Sequence, residues 1–124
     1  MFEYPRSGMF NLRVSYMNHN YRPPVDVIET TTGYLIRIEI AGVNESDFNI
    51  RYDHNVLNVS GTRQDSYKNF TFHQMEIHFG EFEVQIAIPN PIEDSITAEY
   101  KNGFLEISMK KATPKKIHIK DKDA

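Results

Sequence analysis

The sequence predicts an all-β fold, an antiparallel β-sandwich of seven to eight strands, and three observations point there. From residue 25 onward, apolar residues recur at every second position in one short run after another. Clusters of Gly, Pro, Asn, Asp and Ser separate the runs. No stretch carries a convincing helical period.

The elements follow in chain order. Residues 1–22, "MFEYPRSGMFNLRVSYMNHNYR", have no steady period yet carry many large apolar side chains, and Pro23-Pro24 closes them with a stiff extended step. The spacing predicts strands over "VDVIE" (25–29) and "YLIRIEI" (34–40), where Tyr34, Ile36, Ile38 and Ile40 share a face. "FNIRY" (48–52) and "VLNVSG" (56–61) read as a hairpin about "DHN". A polar stretch at 62–69 leads into "FTFHQMEIHF" (70–79), expected to be a strand with Met75, Ile77 and Phe79 aligned. "EFEVQIAIP" (81–89) is the cleanest alternation, and "SITAEY" (95–100) and "FLEISM" (104–109) flank the hairpin signal Asn102-Gly103. The organisation is an apolar arm (1–22), a domain (23–109) and a tail (110–124).

Composition bounds the function. The 124 residues fit one domain with a real core, and no Cys means no disulfide framework and no thiolate chemistry. No apolar run is long enough to span a membrane and no secretory leader is visible, so the expectation is a soluble, cytoplasmic protein. Of 17 acidic and 14 basic residues, the last fifteen positions hold two aspartates and six lysines. An acidic body with a short basic tail does not favour nucleic acid.

No catalytic constellation emerges. The five histidines fall at 19, 54, 73, 78 and 118, and the odd spacing of His73 and His78 sends them to opposite faces of the expected strand. Glu81 and Glu83 lie on the polar face of an amphipathic strand. Serines lack a nucleophile elbow and glycines a phosphate loop. Neither enzyme activity, nor a metal, nor a cofactor is expected.

The order of features resembles the small heat-shock protein family. The residues that carry the resemblance are "RPPVDVIET", "YLIRIEIAGV", "NVLNVSGTR", "FGEFEVQIAIP", "AEYKNGFLEISM" with its signature residues Gly103 and Leu105, and the tail's Ile117-His118-Ile119. The resemblance implies an immunoglobulin-like α-crystallin domain with a flexible N-terminal arm and C-terminal tail. It implies an ATP-independent holdase without a cofactor, which binds unfolding client proteins under stress and forms a homo-oligomer built from dimers. The dimer would use the strand of Phe72, Met75 and Ile77. The tail's Ile117 and Ile119 would seat in a groove lined by Phe48, Ile50, Ile96 and Ala98 of a neighbouring subunit.

Alternatives stay open on the residues alone. "KKIHIK" also reads as one more strand of its own sandwich. Phe2, Tyr4, Met9, Phe10, Tyr16 and Met17 of the arm suit client binding, or simply packing between subunits. A co-chaperone or adaptor β-sandwich with one specific partner is the rival function. Three departures from the family stand out: Ile40-Ala41-Gly42 replaces its usual Leu-Pro-Gly, Val84 replaces an arginine of the dimer contact and implies a greasier one, and the 62–69 loop is short.

Overall fold

The computed structural model describes residues 21–89, 92–113 and 116–121. Seven strands run in order: β1 (Val25–Glu29), β2 (Gly33–Glu39), β3 (Asn49–Asp53), β4 (Val56–Arg63), β5 (Gly80–Ala87), β6 (Ile92–Lys101) and β7 (Phe104–Lys111), with one short 3₁₀ turn at Glu45–Asp47. They form a four-stranded sheet, β1-β2-β7-β6, and a three-stranded sheet, β3-β4-β5, antiparallel throughout.

The two-residue period explains the core. Ile36 and Ile38 of β2 lie opposite Ile107 and Leu105 of β7, and Leu57 and Val59 of β4 lie opposite Ile86 and Val84 of β5. All eight side chains are buried between the sheets, with Phe82, Ile88 and Met109. Val84 therefore belongs to the core, which corrects its expected part in a greasier subunit contact.

Turn chemistry sets the hairpins. His54 and Asn55 take positive φ of 52° and 63° between β3 and β4, and Asn102 and Gly103 take 54° and 82° between β6 and β7. Both pairs match the two-residue turn whose twist suits adjoining strands. Gly61 has a different role: a Cβ there would lie 2.6 Å from the Phe82 ring and 2.6 Å from the Asp47 carbonyl oxygen, so the missing side chain lets Phe82 fold across the strand.

The expected strand at 70–79 is absent within the chain. Residues 64–79 form a loop in which Tyr67, Phe70, Phe72, Met75, Ile77 and Phe79 are exposed. Alternation marks a half-buried strand only where an apolar face waits opposite, and seven strands already close this core. Strand β7 runs on to Lys111, whose ammonium donates to Glu29 Oε2 at 2.7 Å and to the Thr30 carbonyl at 3.0 Å. That hydrogen bond holds the Glu29 carboxyl below its ordinary range, against a smaller opposing effect of burial.

Two predictions follow from this packing. Gly61→Ala should destabilise the domain by about 1 to 3 kcal/mol through overpacking, seen as a lower urea midpoint; an unchanged midpoint would show that Phe82 and Asp47 can yield. Lys111→Met should cost stability at neutral pH. A carboxylate with a depressed folded pKa stabilises above its unfolded value, ordinarily near 4.5, and loses that contribution as pH falls through the folded value. The deficit of Lys111→Met should accordingly narrow in acid melts, and a constant deficit down to pH ~3 would exclude the ion pair as its source.

Candidate functional site

Strands β3 and β6 are edge strands of opposite sheets. Phe48, one residue before β3, packs edge-on against Tyr100 of β6, with ring centroids 4.9 Å apart, and against Phe82, at 5.9 Å. Phe48 therefore bridges the two edges at this point. Phe48, Ile50 and Tyr52 alternate at and along β3, and Ile96, Ala98 and Tyr100 alternate along β6. Five of the six are partly buried against the core, while Ala98 is exposed and lies opposite the fully buried Ile107.

Phe48, Ile50, Ile96 and Ala98, named from the sequence, thus lie at or on the two edge strands. Tyr52 and Tyr100 were missed, although their phase was legible, since they continue the alternation of Ile50 and of Ala98. Their hydroxyls point to backbone. Tyr100 donates to the Ile40 carbonyl at 2.7 Å and accepts from the Val43 amide at 3.3 Å. Tyr52 donates to the Ile88 carbonyl at 2.8 Å, and burial, ahead of a smaller effect of Tyr34, pushes its phenol pKa up. With the hydroxyls engaged, both side chains have mainly ring surface left to present.

The signature residues pack behind Tyr100. The Gly103 carbonyl oxygen accepts from the Ile40 amide at 2.9 Å, and a Cβ on Gly103 would meet Ala41 Cβ at 3.3 Å. Leu105 is buried between Ile38 and Tyr100 in register. Their work is packing, which places the 40–43 segment under Tyr100.

The remaining residues named from the sequence lie apart from these two edges. Phe72, Met75 and Ile77 project from the 64–79 loop, with Met75 and Ile77 68% and 69% exposed. Lys116–Asp121 of the tail form no strand, and Ile117 and Ile119 are 88% and 96% exposed. This overturns the reading of "KKIHIK" as another strand of its own sandwich. Phe2, Tyr4, Met9, Phe10, Tyr16 and Met17 fall outside the described residues. The sheet edges differ as well. Strand β5 is capped where Tyr21 donates to the Glu81 carbonyl at 3.2 Å and accepts from the Glu83 amide at 3.0 Å. Strand β1 pairs only with β2 among the described residues, leaving Val27 47% exposed beside an open edge. No group of three His, Asp or Glu side chains suited to a metal occurs among the described residues.

Comparison with known proteins agrees with this architecture. Residues 26–123 match the model of the Hsp20/alpha crystallin family. The chain is 33% identical over 107 residues to small heat shock protein C2 of Rickettsia felis, covering 82% of this chain and 70% of that protein. It is 33% identical over 107 residues to heat shock protein 16 of Schizosaccharomyces pombe, covering 79% and 75%. Among solved structures, heat shock protein 16.0 of S. pombe superimposes with a TM-score of 0.72 at 32% identity, covering 82% and 78%. A small heat-shock protein from Xylella fastidiosa gives 0.67 at 27% identity, covering 80% and 96%. With a sandwich, a signature hairpin and a family match that spans most of its length, the chain belongs to the Hsp20/alpha crystallin family, the small heat shock proteins, which are chaperones and not enzymes.

Proposed function

We propose that this chaperone is an ATP-independent holdase whose subunits assemble reversibly through their exposed apolar segments and release such segments to bind unfolding proteins. The observation that carries the reading is the placement of large apolar side chains on the 64–79 loop and the tail, outside a core that is already complete. Such side chains in water are an aggregation hazard unless a partner covers them.

Each exposed segment has a matching surface. The groove between β3 and β6 offers apolar walls to Ile117 and Ile119 of a neighbouring copy. Burying two isoleucines is worth roughly 3 to 6 kcal/mol gross. Ordering a free tail takes back much of that, so one docking is weak, and only repetition around an oligomer makes it hold. The open edge of β1, with Val27 and Ile28 beside it, offers ladder hydrogen bonds to an added strand. The Phe72, Met75 and Ile77 segment of a partner has the alternation such a strand needs, and supplies the dimer. The family relative from Xylella fastidiosa is described as having a distinct high order structure, in keeping with assembly from repeated contacts.

Client capture follows from the same weakness. A surface shared between assembly and capture is free only when its contact opens, and a population of opened contacts grows or shrinks with small changes in free energy. Phe2, Tyr4, Met9, Phe10, Tyr16 and Met17 of the arm add adaptable aromatic and methionine surface for irregular partners.

The direct test heats an aggregation-prone client without nucleotide and follows turbidity beside the assembly mass. Suppression at near-stoichiometric ratio is expected; turbidity equal to that of the client alone would end the holdase reading. Replacing Ile117 and Ile119 with glycine should lower the mass in light scattering, and Ala98→Arg, which places a cation in the groove wall, should lower it to the same extent. Because the two changes break one contact, combining them should add little. A mass equal to the parent's in both would rule out tail docking in this groove.

A further inference from the structure

Three segments that are far apart in sequence meet on one side chain, Arg63, the last residue of β4. Its guanidinium donates to the His78 carbonyl through Nε at 2.9 Å and through Nη2, and to the Ala41 carbonyl through Nη1 at 3.2 Å. The same group lies over the Tyr21 ring at 5.8 Å and over the Phe79 ring at 5.5 Å. The His78 imidazole stacks on Tyr21 with centroids 4.3 Å apart and planes 9° from parallel. Tyr21 itself is paired by backbone hydrogen bonds to Glu81 and Glu83. The root of the arm and the returning end of the 64–79 loop therefore share one anchor.

We propose that Arg63 is a positioning residue that couples the arm to the 64–79 loop: lifting Tyr21 from β5 frees the loop's returning end, and drawing that end away loosens the arm. The physical reason is shared contacts. If Tyr21 leaves, His78 loses its stacking surface and Arg63 loses one aromatic face, so the hold on the His78 carbonyl weakens. If the loop leaves, Tyr21 loses the stacked His78 ring and Arg63 loses its carbonyl acceptor, so Tyr21 keeps its backbone bonds and core packing beside a guanidinium that is held less firmly. Reciprocity is required, because each segment changes the free energy of the other by the same amount. Arginine suits the post because its planar fork bonds two carbonyls while its faces stay available to rings.

Among the described residues, the other hydrogen bonds of the loop are internal, from the Tyr67 amide to Asp65 Oδ1 at 3.0 Å and between Gln74 and Glu76, with Tyr67 and Phe70 in edge contact. The functional consequence, that an arm engaged on a client would alter the readiness of the dimer segment, rests on the proposed function. The coupling itself does not.

The chain has no cysteine, so a single introduced cysteine carries a nitroxide without background. Labels at Gln74→Cys and, separately, Arg22→Cys report the loop and the arm root in the full-length chain by spin-label line shape. Tyr21→Ala should raise the ratio of mobile to immobile label at position 74 by about 5-fold or more, the low end of usual coupling factors, and Tyr21→Phe, which keeps the stack, should not. His78→Ala should mobilise the label at position 22. In an Arg63→Met background Tyr21→Ala should have little further effect. If melting curves show that Arg63→Met does not fold, Arg63→Lys takes its place, keeping the charge and losing the fork. A loop label indifferent to Tyr21→Ala, or an equal response with and without Arg63, overturns the coupling. Client suppression assayed on the same samples separates the two ideas: lost coupling with intact suppression tells against the shared anchor alone, and intact coupling without suppression tells against the holdase reading alone.

Discussion

A sheet of four strands closes over a sheet of three through one layer of interlocked side chains, among them Ile36, Ile38, Leu57, Val59, Phe82 and Ile107, and every other feature depends on that closure. Sheets packed face to face share an interior only about 10 Å thick, so each strand must supply a full row of apolar residues to it. Unequal width leaves the mismatch at β1. Its Val27, paired with the buried Ile36, stays partly in water, next to the strand edge that pairs with no other strand among the described residues.

Open edges and greasy loops are hazards that most proteins hide. This chain limits the hazard by distributing it. Strand β5 is occupied by Tyr21 at one place, and β3 and β6 turn their edges toward each other around Phe48 and Tyr100. The tail keeps Ile117 and Ile119 in solution by flanking them with Lys116, Lys120 and Asp121, and the lysines suit a body that is acidic.

Rigid and movable parts are joined at a few defined points. Lys111 fixes the end of β7 on the β1–β2 turn through Glu29 and Thr30, so the tail departs from a set place. Tyr100 ties β6 to the segment after β2, and Gly103 packs against Ala41 in the same corner. Arg63 reaches the other side of that segment through the Ala41 carbonyl. The short Ile40–Val43 connection therefore has Tyr100 on one flank and Arg63 on the other.

The sequence by itself determined the sandwich and nearly all of its strands, because period-two alternation in β2, β4, β5 and β7 is a local property that any two-faced strand must show. It also determined the turns at Asn102-Gly103 and His54-Asn55. Only the tertiary structure decided the fate of residues 70–79 and of "KIHIK", which alternate as well as many strands do. Alternation states that a segment has an apolar side and is silent on whether a face remains to receive it, and here seven strands had filled the core. The same limit hid the meeting of Tyr21, Arg63 and His78, since it arises from which segments lie beside one another, a long-range outcome that no local pattern encodes.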